Sequence, residues 1–241
     1  MMKNSIFSVK ENRKIADGTF LMKLEGDCAG TLPGQFVNIK LDGFYLRRPI
    51  SVCDIEGGVL TIIYKAVGGG TELMSEMQPG VKLDLLTHLG NGFGLGKCGA
   101  KTLLIGGGVG AAPMYYLAKQ LGSPAVALGF NSAKDAFLID EFKALGCEVY
   151  VSTVDGSLGT KGFVTDLMKD IDYDYFCCCG PEAMLKAVYS ASKTDGQFSF
   201  EERMGCGFGA CMGCSCRTVT GYKRICKDGP VLEKGELLWK D

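Results

Sequence analysis

From residue 6 to about residue 86 the apolar side chains come in short runs, many of them alternating with polar ones, and each run is closed by a turn signal. Runs at 19–24, 35–41, 49–52, 59–65 and 81–86 are punctuated by Asp17-Gly18, Pro33-Gly34, Asp42-Gly43, Gly57-Gly58 and Pro79-Gly80. Short period-two runs bounded by such pairs mark β-strands, and their regular spacing predicts an antiparallel barrel. One helical stretch, 71–76, interrupts them directly after Gly68-Gly69-Gly70.

Beyond Lys97 the period changes. Strands are predicted at 102–105, 125–130, 148–152 and 175–179, and helices at 111–121, 135–145, 163–169 and 182–192, with Gly122 and Gly146 as helix stops. Strand and helix in alternation mean a parallel α/β sheet with short crossovers. The expected architecture is therefore an antiparallel β-barrel over 1–97, an α/β domain over 98–196 and a small cysteine-rich domain over 197–241. The last is too short to bury a useful core and is expected to depend on a bound metal group for its fold.

A net charge of −1 gives no electrostatic case for nucleic acid or an anionic membrane surface. The first residues, MMKNSIFSVKENRKIADG, lack the apolar core of a signal peptide, and no apolar run reaches the roughly 18 residues of a membrane span. A soluble, cytoplasmic protein is expected. In a reducing compartment twelve cysteines argue for metal binding or redox chemistry over crosslinks. The single histidine, His88, sits in a turn after the last barrel strand with no identifiable catalytic partner.

Cys206, Cys211 and Cys214 have the spacing C-x4-C-x2-C, and Cys226 follows after a gap. This is the plant-type pattern for a 2Fe-2S cluster, in which four soft thiolates complete the coordination of two irons. Glycines 205, 207, 209 and 213 give the loop freedom to bend around an inorganic core. A structural zinc site is the open alternative, although such sites usually pair C-x2-4-C units. Cys216 is left over, as a packing residue or in exchange with Cys214.

Two places in the barrel half and two in the α/β half carry candidate chemistry. Arg47-Arg48-Pro49-Ile50-Ser51 sets a guanidinium beside a hydroxyl on an extended backbone, suited to a diphosphate and a flavin edge. Ile63-Tyr64-Lys65 precedes Gly68-Gly69-Gly70-Thr71, a glycine loop that offers backbone N–H groups to an anion. The strand at 102–105 runs into Gly106-Gly107-Gly108-Val109-Gly110, where a pyrophosphate can approach the backbone at the start of a helix. Further on stands Cys177-Cys178-Cys179-Gly180-Pro181-Glu182-Ala183-Met184, and the polar loop Thr153-Val154-Asp155-Gly156-Ser157 is a candidate border of the same site.

Taken together these stretches resemble the ferredoxin-NADP reductase superfamily, whose flavin domain carries an R-x-Y-S strand and a glycine-Ser/Thr element, both on FAD. Arg48-Pro49-Ile50-Ser51 matches with Ile50 in place of the aromatic, so Tyr64 becomes the candidate stacking partner. The same superfamily has a G-x-G-x-x-P turn, matched by Gly108 to Pro113, and a C-G-P-x-x-M element, matched by Cys179 to Met184. The resemblance implies that Cys179 lies by the nicotinamide and that Gly180 and Pro181 open the next helix.

With Glu201-Glu202-Arg203-Met204-Gly205-Cys206 added, the whole chain resembles the electron transfer subunits of dihydroorotate dehydrogenase B. That resemblance implies FAD and one 2Fe-2S cluster, NAD as co-substrate, and a heterotetramer with an FMN-containing catalytic subunit in pyrimidine biosynthesis. Electrons would leave the partner's FMN and cross the cluster and FAD to NAD. A flavin suits the middle position because it exchanges electron pairs with nicotinamide and single electrons with a cluster. The alternative is a subunit of a related bifurcating oxidoreductase, hydrogenase or sulfite reductase. Asn131, Ser132 and Lys134 follow the second sheet strand; the resemblance favours NAD, and Lys134 keeps NADP open. Phe208, Met212 and Trp239 are expected either to dock the partner or to cover the cluster.

Overall fold

The computed structural model describes residues 2–239. Its first half is a closed six-stranded antiparallel barrel built from β1 (Lys3–Ala16), β2 (Thr19–Glu25), β3 (Phe36–Ile39), β4 (Arg48–Glu56), β5 (Val59–Lys65) and, after helix α1 (Gly69–Ser75), β6 (Lys82–Leu89). Spatial order is β1-β2-β5-β4-β3-β6. β1 has no counterpart among the predicted runs. Its charged residues blur the alternation, yet it closes the barrel by pairing with β2 on one side and β6 on the other. Phe7, Val9, Met22, Leu24, Val37, Ile39, Leu60 and Ile62 fill the interior.

The second half contains β7 (Thr102–Gly107), α2 (Ala111–Leu121), β8 (Ala125–Phe130), α3 (Ile139–Ala144), β9 (Val149–Thr153), β10 (Thr160–Lys161), α4 (Val164–Leu167), β11 (Tyr175–Cys179) and α5 (Glu182–Ala191). It continues into β12 (Gly196–Ser199), the hairpin β13 (Ser215–Thr218) and β14 (Gly221–Arg224), and β15 (Val231–Glu233). The sheet order is β10-β9-β8-β7-β11-β12-β15, parallel except for the last strand. The order in which strands are added reverses between β7 and β11, the switch point where ligands of such sheets bind.

Three expectations change. The boundary expected at 196/197 falls inside β12, and β15 also joins the sheet, so both ends of the cysteine segment rest on the α/β core through Phe198, Val231 and Leu232. The helix expected at 135–145 forms only over Ile139–Ala144, because Asp135 is held in a 3-10 turn by the Ser132 hydroxyl at 2.8 Å and Leu138 takes a left-handed φ of 62°. The helix expected at 163–169 is four residues long, with the Asp166 carboxylate accepting the Phe163 N–H at 3.0 Å.

The two halves are fastened together. Lys119 on α2 reaches Asp54 on β4, the Tyr116 hydroxyl donates to the Thr31 carbonyl at 3.1 Å, and Lys65 approaches Asp135 at 3.5 Å. The β1–β2 turn adds a bond from Asp17 N–H to the Lys134 carbonyl at 2.9 Å. Among the described residues no helix is long and apolar enough to cross a membrane.

Candidate functional site

On the barrel, β4 presents the Arg48-to-Ser51 stretch along its edge with β3. The Arg48 guanidinium lies over the Phe44 ring at 4.6 Å and donates to the Leu46 carbonyl. It also rests on Gly70, where a Cβ would come within 2.3 Å of Nε. A side chain there would displace the guanidinium, so the glycine loop and the arginine form one cradle. The Thr71 hydroxyl accepts from Val67 N–H at 3.0 Å and donates to the Gly68 carbonyl at 3.0 Å, which spends it on shaping the loop. A cation beside exposed backbone N–H groups fits a diphosphate. Arg47, in contrast, is committed to Asp84 and to the carbonyls of Asn38 and Asp84.

Along β5 the side chains alternate in direction. Ile63 joins the core shared with the α/β half, whereas Tyr64 points into the barrel, 2% exposed, stacked on Phe20 and donating to Asn12 Oδ1 at 2.9 Å. The ring expected to stack on a flavin is therefore part of the barrel core. Burial pushes its phenol up to about 12, the bond to Asn12 working the other way. Lys65 ends the strand at the cleft between the halves.

That cleft, about 670 Å³, opens over the carboxyl ends of β7 and β11. Gly107, Gly108 and Pro181 lie in its wall, with Phe130, Phe163 and Glu201 among its other lining groups. Gly106 is sealed within β7, and Gly180 packs on Met184. At Gly110 a Cβ would sit 2.2 Å from the Cys179 carbonyl oxygen, so the turn and the end of β11 are in direct contact. Glycine backbone at the switch point of a parallel sheet, faced by apolar walls, fits a dinucleotide. From the loop at 153–157 only Val154 lines the cleft.

Cys179 is 1% exposed. Burial raises its thiol well above the ordinary range, the Glu201 carboxylate adds to this, and a hydrogen bond with Ser199 opposes it. The residue is a neutral thiol beneath the cleft. Glu201 itself touches solvent but stands against the cleft wall, and exclusion of water there raises its carboxyl. Its place in the cleft was not legible as chemistry in the sequence, since it precedes the first cluster cysteine by five residues in the chain. His88 sits at the end of β6 with φ 57°, its ring bound between the Thr87 hydroxyl and the Ala29 carbonyl, a structural position.

The four motif cysteines come as two pairs. Ala210 and Cys211 N–H groups donate to Cys206 Sγ at 3.2 and 3.4 Å, and Cys206 N–H points at Cys211 Sγ at 3.5 Å. Cys226 N–H donates to Cys214 Sγ at 3.4 Å. Burial raises the Cys206 thiol, but the N–H groups of Cys211, Phe208 and Ala210 outweigh it and bring it down to about 6. Cys226 goes the other way, pushed up to about 12 by burial first and then by Cys214 and the nearby Cys206. A two-iron core takes two thiolates per iron, and the donors here stand as two pairs. The donor set fits the cluster. Cys216 lies on β13, half-buried against the core, and Trp239 packs on Phe200, Phe198 and Tyr189 at 5.3 to 5.8 Å, while Phe208 and Met212 stay exposed on the cysteine loop.

Residues 201–238 match the family model described as the iron-sulfur cluster binding domain of dihydroorotate dehydrogenase B. The electron transfer subunit of dihydroorotate dehydrogenase B (NAD(+)) from Fusobacterium nucleatum is 44% identical, with 95% of this chain and 96% of that protein covered. Its counterpart from Geobacillus sp. WCH70 is 43% identical over 99% of this chain and 100% of that protein. Among solved structures, an NADH-dependent reduced ferredoxin-NADP oxidoreductase is 29% identical with a TM-score of 0.87, covering 97% of this chain and 90% of that one. The ferredoxin-NADP+ reductase of Neisseria gonorrhoeae, solved with FAD and NADP, shares the fold at 16% identity and a TM-score of 0.67, covering 78% of this chain and 90% of that one. With the cysteine pairs, the arginine–glycine cradle and the switch-point cleft in one fold, this chain belongs to the family of dihydroorotate dehydrogenase B electron transfer subunits.

Proposed function

We propose that this chain is the electron transfer subunit of an NAD-dependent dihydroorotate dehydrogenase in de novo pyrimidine (UMP) biosynthesis. Electrons from dihydroorotate oxidation pass from the FMN of a catalytic partner subunit through a 2Fe-2S cluster and FAD to NAD. The observation that carries the reading is the meeting of three sites at one junction. The Cys206 carbonyl contacts Asn38, which pairs across the sheet with Pro49 of the flavin strand, and Glu201, at the head of the cysteine loop, lines the dinucleotide cleft.

When bound, FAD supplies the exchange between electron pairs and single electrons. The chain's own groups bind and orient. Arg48, with the backbone of Gly70 and Thr71, neutralises the diphosphate; Pro49, Ile50 and Ser51 border the ring system, together with Ile63, Lys65 and the backbone at Tyr64. Gly107 and Gly108 let the NAD pyrophosphate approach the start of α2, with Pro181 opposite, while Gly106, Gly110 and Gly180 allow the close packing that shapes the turn. Cys179, kept neutral by burial, offers an uncharged thiol at the nicotinamide end. Cys206, Cys211, Cys214 and Cys226 would hold the cluster, which would supply single-electron transfer.

The partner is an FMN-containing catalytic subunit, two of each forming a cytoplasmic heterotetramer, with Phe208 and Met212 at 44% and 53% exposure as apolar docking residues beside the cluster. The test is to purify the chain anaerobically with that partner and follow its visible spectrum. Bleaching of flavin and cluster by dihydroorotate, reversed by NAD, is the expected result. Bleaching by NADH with no response to dihydroorotate would move the protein to the alternative class, a subunit of a bifurcating oxidoreductase, in keeping with its likeness to the NADH-dependent reduced ferredoxin-NADP oxidoreductase.

A further inference from the structure

Asn38 stands between the flavin strand and the cysteine loop, and no sequence motif marks it. It lies at the middle of β3, opposite Pro49 of β4. Its neighbours Val37 and Ile39 fill the barrel, so strand alternation turns the Asn38 side chain to the outer face. Although polar, it is 1% exposed. Its Nδ2 donates to the Cys206 carbonyl at 3.4 Å, and its backbone carbonyl accepts from Arg47 Nη1 at 3.2 Å.

The cysteine loop is fitted to this side chain. Gly207, next to the first cluster cysteine, has φ 79°, and a Cβ there would lie 2.3 Å from Asn38 Nδ2. Asn38 Oδ1 is buried without a hydrogen-bond partner among the described residues. An orphaned buried acceptor is costly and is rare unless the site has a role to which it contributes. An apolar residue of the same size would fill this place more cheaply if packing were its only task.

We propose that Asn38 is the positioning residue that holds the Cys206 side of the iron-sulfur cluster at a fixed distance from the flavin strand, and thereby sets the rate of electron exchange between the two centres. The proposal rests on the reading of the cysteine loop and β4 as cluster and flavin sites. One electron passes between flavin and cluster with no bond made or broken. Electronic coupling falls steeply with separation, so a loop released from Asn38 by an ångström or two slows that exchange. Hydride transfer between nicotinamide and flavin belongs to the dinucleotide cleft, which neither Asn38 nor Gly207 lines, so it is spared.

The test uses the full chain, loaded with FAD and cluster and reduced anaerobically with NADH in a stopped-flow instrument. The variants are Asn38→Leu, which keeps size and removes the donor, Asn38→His, whose Nδ1–H can replace it, and Gly207→Ala, which pushes the loop away from the other side. Flavin reduction is expected at the wild-type rate in all three. Cluster reduction is expected about tenfold slower in Asn38→Leu and Gly207→Ala and restored in Asn38→His. The electron paramagnetic resonance signal of the reduced cluster should change in the two slow variants only. Loss of the cluster with flavin retained in Asn38→Leu, again restored by histidine, also supports the assignment. A wild-type cluster rate and signal in Asn38→Leu overturn it, as does loss of flavin and cluster together, which would make the residue one of barrel folding. Wild-type protein that takes up no flavin or no cluster defeats the wider reading instead.

Discussion

Lys119 Nζ donates to both carboxylate oxygens of Asp54 at 2.9 Å, joining the helix that follows the dinucleotide turn to the strand that carries Arg48 and Ser51. The lysine and aspartate side chains are 24% and 13% exposed, so the pair is largely shielded at the seam between the two halves. Its function is geometric. It ties the last turn of α2 to the strand that carries Arg48 and Ser51, and so sets how the helix lies against the barrel.

Breaking that pair by Lys119→Met strands a shielded carboxylate and is expected to cost about 3 kcal/mol of stability. Reduction of bound flavin by NADH should slow at the same time. Asp54→Leu added to Lys119→Met should recover much of the stability but not the rate, because an apolar pair packs without fixing orientation. Urea unfolding and single-turnover flavin reduction measure the two effects separately.

Replacing Arg48 by Met removes the cation over Gly70 and the contact with the Phe44 ring. A lost charge-assisted hydrogen bond is worth about 1.5–3 kcal/mol, which corresponds to roughly 10- to 150-fold weaker FAD binding. Arg47→Met acts differently: it breaks the Asp84 bridge and lowers stability with a smaller change in FAD affinity. Equilibrium titration of the flavin-free protein with FAD distinguishes them.

The paired cysteines predict a graded result on iron content. Serine at Cys206, Cys211, Cys214 or Cys226 should abolish the cluster while leaving FAD bound, and Cys216→Ser should leave iron and sulfide at wild-type levels. Removal of iron should loosen the loop between β12 and β15 but not the strands themselves, because both are held in the α/β sheet. Hydrogen exchange of these strands in holo and iron-free protein tests this.

Tyr64 gives a pH dependence with a definite sign. Its phenol titrates at about 12 in the fold, chiefly because of burial, against about 10 in an unfolded chain. The folded state retains the proton that the unfolded state releases, so this contribution is intact below about pH 10 and is lost as pH rises towards 12. A two-unit difference corresponds to about 3 kcal/mol at most. Tyr64→Phe should flatten the stability curve over that window, with tyrosinate absorbance reporting the ionisation.

Much of this protein is legible in its chain because local rules dominate there. The C-x4-C-x2-C spacing, the glycine turn after a buried strand and the change of period after Lys97 each follow from short-range chemistry, and the cysteine pairs and the cleft stand where those signals lie. Where the sequence misled, long-range packing had the last word. Lys3–Ala16 looks too charged for a strand, but the barrel needs it for closure, and its outward charges remain solvated. Tyr64 carries an aromatic suited to a flavin, but strand parity turns the ring into the barrel. Glu201 and Asn38 acquire their places only when distant segments meet, one at the cleft wall and the other against the Cys206 carbonyl. The chain alone thus determined the cofactor chemistry, because ligand type and spacing encode it; the arrangement of those centres was decided by tertiary packing, because burial and strand parity choose which side chains face the junction.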